Sequence, residues 1–119
     1  MNQKIQSYQD LIVWQKGIAL VECVYSASKS FPDEEKFGLT SQMRRCAVSI
    51  PSNIAEGFGR GTNKFYRHFL TIARGSLLEL ETQTIISERL GYLESPKEIL
   101  NLIEEESKML NSLLSKLKD

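Results

Sequence analysis

The 119-residue chain is predicted to be all-α: an antiparallel, up-down four-helix bundle whose second helix is kinked at Pro51. Three observations lead there. Apolar residues recur at three- and four-residue spacing through four long segments. Proline, glycine or a capping residue marks each short connector between them, and short connectors favour antiparallel neighbours. No alternating apolar–polar run offers a competing strand. The length suits one domain, residues 1–119, large enough for a true core.

Residues 1–7 read as a polar, frayed terminus. The first helix is expected from about Asp10, a suitable N-cap, to Ser30, with Leu11, Trp14, Ile18, Val21, Val24 or Tyr25, and Ser28 along its stripe. Phe31 to Glu35 form a connector, because Pro32 disfavours helix at the residue before it. Thr40 or Ser41 is expected to cap the second helix, which runs to about Gly59. Its apolar face is Leu39, Met43, Cys46, Ala47, Ile50, Ile54 and Phe58. Gly61-Thr62-Asn63 reads as a turn with an N-cap. The third helix covers about Lys64 to Leu90, with Phe65, Phe69, Ile72, Ser76, Leu77, Leu80 and Leu90 inward and Gly91 at C′. Ser95 caps and Pro96 opens the fourth helix. Its stripe is Ile99, Leu102, Ile103, Met109, Leu110, Leu113, Leu114 and Leu117.

Hydrophobic content of 41% and charged content of 25% are those of an ordinary globular domain. Met1 to Asp10 lack an apolar signal core, and no apolar run is long enough to span a bilayer, so the expected location is cytoplasmic. Cys23 and Cys46 sit among apolar residues and read as buried free thiols. Two cysteines and one histidine without ligand spacing argue against a zinc site. The net charge is zero, yet it is unevenly spread. Residues 1–35 carry net −2, residues 36–75 net +6 and residues 76–119 net −4. Such a polarised chain suits an anionic partner, or complementary faces that meet in an oligomer.

Pro51 breaks a helix rule inside a helical pattern, since it lacks an N–H and crowds the carbonyl four residues back. One kinked helix explains this better than two helices. The bend either shapes a subunit interface or only fits the helix to the core. Arg45, Ser49, Ser52, Asn53, Glu56 and Arg60 form a polar stripe opposite the apolar one.

On the third helix, Arg60, Lys64, Arg67, Thr71 and Arg74 recur at four, three, four and three residues and share a face. Arg44 and Arg45 extend the cationic set, Tyr66 lies near it and His68 borders it. Arginine and lysine suit phosphate contacts, and an aromatic ring suits stacking on an unpaired base. The plainer reading is a solvated cationic face, or charges paired with acidic residues of another helix or subunit. Glu56 and Arg60 are expected to pair, Trp14 to pack, and Glu104-Glu105-Glu106 to form a solvated face. Gly57-Phe-Gly-Arg-Gly61 lacks the Lys-Ser/Thr ending and preceding strand of a phosphate loop. Glu79 and Glu81 lack the Glu-x-x-His partners of a dimetal site. No nucleophile, base and oxyanion site assemble, so the expectation is no enzyme, catalytic residue, metal or cofactor.

Several segments together resemble a known family. They are Asp10-Leu-Ile-Val-Trp-Gln-Lys16, Phe37-Gly-Leu-Thr-Ser-Gln-Met-Arg-Arg45, Ala47-Val-Ser-Ile-Pro-Ser-Asn-Ile-Ala-Glu-Gly57, Phe65 to Ser76, Glu79-Leu-Glu-Thr-Gln83 and Arg89-Leu-Gly-Tyr92. They resemble the bacterial four-helix-bundle proteins encoded in intervening sequences of 23S ribosomal RNA genes. Within the motif, Ser49, Pro51, Asn53, Glu56 and Gly57 carry the most specific match. The resemblance implies an up-down bundle that assembles into a ring-like homopentamer. It extends to the accessory protein of diversity-generating retroelements, a basic pentamer that binds nucleic acid and a reverse transcriptase. By that analogy Arg44, Arg45, Arg60, Lys64, Arg67 and Arg74 would form the nucleic-acid surface, and charge reversal at Arg67 and Arg74 would abolish binding while leaving the fold intact. Two functions follow as expectations: an oligomeric, non-enzymatic RNA-binding module, or a protein-interaction scaffold whose basic face meets acidic surfaces of a neighbour or partner.

Overall fold

The computed structural model describes residues 4–117. Among them are four α-helices, two single-turn 3-10 helices and no strand. The helices are α1 (Ile12–Ser28), α2 (Leu39–Gly59), α3 (Asn63–Arg89) and α4 (Lys97–Lys116). α1 and α3 each pack on both α2 and α4, so the four helices close around one core. Each fully buried Leu or Ile, such as Leu20, Ile50, Leu70 or Leu110, contributes about 1.5–3 kcal/mol of transfer free energy.

The helix ends differ from the expected caps in an instructive way. Of the stretch expected to fray, residues 1–3 lie outside the described residues, whereas Ser7 sits in a capping box. Its Oγ accepts the Gln9 amide at 3.2 Å, and Asp10 accepts the Gln6 and Ser7 amides at 2.8 and 3.2 Å. Asp10 is therefore spent upstream on a 3-10 turn, and α1 begins without a side-chain cap. Neither Thr40 nor Ser41 caps α2; Gly38 is the cap residue. Glu35 instead accepts the Leu39 amide at 3.1 Å through one carboxylate oxygen and the Tyr92 hydroxyl at 3.0 Å through the other. That negative charge also suits the positive end of the helix dipole. At α4 the boundary moves one residue: Pro96 is the cap and Ser95 makes no cap bond. Thr62 does cap α3, accepting the Phe65 amide at 3.3 Å. Gly91, at φ +80°, closes the other end of α3. There the Gly91 and Tyr92 amides donate to the Glu88 and Ser87 carbonyls at 3.0 and 2.9 Å, the paired bonds of a Schellman motif.

The buried faces are also turned relative to expectation. α1 buries Val13, Gly17, Leu20, Val24 and Ser28. Leu11, Trp14 and Val21 pack along its edges, and Tyr25 is exposed. The cause is Gly17: a Cβ there would lie 3.3 Å from Pro51 Cβ and 3.0 Å from Glu106 Oε2. The absent side chain lets α1 sit directly on the proline of α2. On α3, Leu70, Ala73, Leu77, Leu80 and Thr84 face the core, while Phe65, Ile72 and Leu90 are exposed. α2 and α3 share the most extensive helix pair. Where the two helices meet, Ser49 faces Ser76 and Gly57 faces Phe69.

Candidate nucleic-acid interface

The six cations of the expected binding set do not form one surface. Arg44 projects from α2 onto the end of α1, where its Nε donates to Ser28 Oγ at 2.8 Å and its guanidinium lies 4.7 Å from the Tyr25 ring centroid. Arg67 and Arg74 face α4 instead. Arg67 Nη1 donates to the Leu114 and Leu117 carbonyls at 2.6 and 3.2 Å, so it caps the C-terminal end of α4. Arg74 Nη1 donates to Asn111 Oδ1 at 3.2 Å. Charge reversal at Arg67 would therefore damage the fold as well as any surface, contrary to expectation. Three of the six thus hold neighbouring helices.

Arg60 and Lys64 remain at the turn between α2 and α3. Arg60 Nε donates to Glu56 Oε2 at 2.9 Å, the expected pair, on the solvent side of α2. Its guanidinium also lies 5.6 Å from the Phe65 centroid and 5.1 Å from the Phe69 centroid. Phe65 is 44% exposed, Lys64 and His68 are exposed, and the His68 ring meets Phe69 edge-on. This end of the pair is a cationic and aromatic tip. Tyr66 does not join it as a stacking ring. Its hydroxyl is buried without a partner, and its ring packs edge-on against Phe58. A Cβ on Gly57 would lie 2.8 Å from Phe69 Cβ and 3.3 Å from Tyr66 Cδ1. The glycine is thus what allows α3 to press on α2 there.

Further along the same pair, the polar stripe of α2 becomes a wall. Ser49 Oγ lies 2.7 Å from both the Cys46 carbonyl and Ser76 Oγ, and Asn53 Nδ2 donates to the Ser49 carbonyl at 2.7 Å. Cys46 Sγ donates to the Ser76 carbonyl at 2.9 Å. Burial, with the Glu79 carboxylate beside it, pushes this thiol up to about 12. Next to the seam lies an open concavity of about 600 Å³ lined by Phe37, Arg45, Ser49, Glu79 and Gln83. Ser52 is exposed on the α2 surface.

Glu106 departs furthest from expectation. Glu104 pairs with Lys108 and Glu105 with Lys16, both at 3.3 Å on the surface. Glu106, however, is 0% exposed and neither carboxylate oxygen has a hydrogen-bond partner. Burial pushes its carboxyl up to about 8. The signal was present in the spacing, because position 106 continues the line of Ile99, Ile103 and Leu110. Cys23 is half-buried, and burial followed by the Glu98 charge raises its thiol to about 11. Trp14 packs edge-on against Tyr8. Among the described residues, no cluster of three His, Cys, Asp or Glu side chains is placed to hold a metal ion. Nor is any helix among them long and apolar enough to cross a membrane.

The sequence model of the family described as 23S rRNA-intervening sequence protein matches residues 9–112. None of the curated proteins matches the chain.

Proposed function

The chain belongs to the 23S rRNA-intervening sequence protein family, and from that premise we propose that it is a non-enzymatic, oligomeric RNA-binding module of the cytoplasm. The observation that carries this reading is the tip at the α2–α3 turn. Arg60 and Lys64 offer phosphate contacts there, beside the exposed Phe65 ring. Cation and aromatic together are what single-stranded RNA requires of a protein surface. The net +6 of residues 36–75 supports the same reading.

One tip binds weakly, and repetition in an oligomer multiplies it. Assembly is supported by exposed apolar residues on one face of α3, Ile72 and Ile86. A homopentamer is the state the family resemblance implies. The up-down course is supported by the paired contacts. Along α2 and α3, position 43 meets 87, 49 meets 76 and 57 meets 69, as antiparallel helices require. A bend at Pro51 is supported by its seat against Gly17, inside an uninterrupted α2. The scaffold reading draws on the same charge distribution, with the basic residues of 36–75 meeting acidic surfaces of a neighbouring copy or a partner protein.

Light-scattering mass, with and without nuclease, together with the 260/280 nm absorbance ratio, tests the proposal. An oligomer that carries nuclease-sensitive RNA is expected, with affinity that falls steeply with salt. The double variant Arg60→Gln, Lys64→Glu should lose the RNA and keep its mass. RNA retained at unchanged affinity by that variant refutes the tip, and a change in mass alone favours the scaffold.

A further inference from the structure

α3 packs less extensively on α4 than on α2, and between α3 and α4 an open groove of about 470 Å³ remains. Leu77 and Ile103, both buried, line it together with Leu78, Ile85 and Leu100. Leu78 is 61% exposed and Ile85 40%. These two stand seven residues apart, about two turns of α3, and so share a face, with Glu81 between them on the groove wall. The neighbouring charges are already engaged: Arg74 donates to Asn111, and Glu104 pairs with Lys108. Glu81 is half-buried beside these aliphatic side chains and, among the described residues, has no ion-pair partner. A carboxylate partly withdrawn from water attracts a cation more strongly than one in bulk solvent.

We infer that this groove receives a basic amphipathic helix of a partner protein. A helix laid into a groove between two others is held by aliphatic anchors about two turns apart, the spacing of Leu78 and Ile85. A lysine or arginine between those anchors would meet Glu81. The same carboxylate disfavours the phosphates of RNA or of an anionic lipid. A second copy of this chain suits the groove poorly. Its exposed apolar face of α3, with Ile72 and Ile86, carries the exposed Glu79 between them and would set one carboxylate against another. The groove lies on the α4 side of α3, apart from Arg60 and Lys64 at the α2–α3 turn, so the inference does not rest on the RNA-binding reading.

The full chain is titrated, by fluorescence anisotropy at low salt, with two end-capped, alanine-rich synthetic helices of about 20 residues, long enough to be helical alone. Each carries two leucines two turns apart on one face; one has arginine between them and the other glutamate. The arginine peptide is expected to bind at least about tenfold tighter than the glutamate peptide, and Glu81→Gln to remove most of that difference. Leu78→Lys should weaken the arginine peptide at least about tenfold. Both side chains reach solvent, so both variants should fold; Ile85→Lys replaces either one whose circular dichroism shows a loss of helix. Failure of both peptides to bind, equal binding of the two, or a preference unchanged in Glu81→Gln overturns the inference. A light-scattering mass lowered by Leu78→Lys would put another copy of the chain in the groove and overturn it as well. The double variant Arg60→Gln, Lys64→Glu should bind the arginine peptide as the unsubstituted chain does, whether or not it retains RNA; loss of the peptide there would move its site to the tip and overturn the groove.

Discussion

Glu106 ties one side chain to the pH dependence of the whole protein. Its carboxyl titrates near 8 in the fold against 4.5 in its ordinary setting. Burial is the main cause, Glu105 adds to it and Lys16 opposes it. Between those values the folded chain holds a proton that the unfolded chain has released. The stability this group contributes is full below about pH 4.5, declines as pH rises towards about 8, and is flat above. The slope approaches about 1.4 kcal/mol per pH unit within that window. Denaturant midpoints measured across it should fall with rising pH, and Glu106→Gln should flatten the profile. A flat profile in the unsubstituted protein would show the carboxylate to be hydrated. The position of Glu106 was legible, because it keeps helical time with Ile99, Ile103 and Leu110. A run of three glutamates obscured it. The capping role of Glu35 was not legible, since its second partner, Tyr92, lies 57 residues away in sequence.

At the scale of the helices, periodicity located four segments and left their ends and rotation open. Ends marked by local chemistry, such as Thr62 and Gly91, fell where the sequence placed them. Ends set by other elements did not: Asp10 was drawn into the turn before α1, and α2 took its cap from an upstream glutamate. On α3 the expected inward residues Leu77 and Leu80 are buried, whereas Phe65, Ile72 and Leu90 are exposed, because periodicity marks a stripe without saying which of its flanks the neighbouring helices cover. Of the cationic stripe, Arg67 and Arg74 meet α4, whereas Arg60 stands at the end of α2 and Lys64 at the exposed start of α3. Arg67 therefore acts as a cap, and Arg67→Ala should cost about 1.5–3 kcal/mol, the range for hydrogen bonds to a charged group. Amide exchange should quicken in the last turn of α4. Arg60→Gln, which removes an exposed ion pair and the guanidinium contacts with Phe65 and Phe69, should change stability by no more than about 1 kcal/mol. Equal effects of the two substitutions would contradict the cap.

At the scale of the whole molecule, the outer face of α3 is where further copies would pack. Ile72 is 40% exposed and Ile86 42%, and the two share one face of α3. The double substitution Ile72→Lys, Ile86→Lys should lower the light-scattering mass to that of a single chain and leave helical content unchanged. A mass unaffected by both lysines would move the assembly surface elsewhere, for instance to the exposed Ile12. Because Arg60 and Lys64 stand apart from these two positions, RNA should still be bound, with affinity reduced by the lost multiplicity.

The short turn and close seam between α2 and α3 also bear on the order of events in folding. A short turn closes at little entropic cost, and the two helices it joins here share the most extensive contact of any pair. The hairpin Leu39–Arg89 is accordingly the natural nucleus, with α1 and α4 docking afterwards onto a surface already formed. Read backwards, the same order makes α1 and α4 the first helices to detach, which would bring the buried proton of Glu106 into water well before the central hairpin is lost.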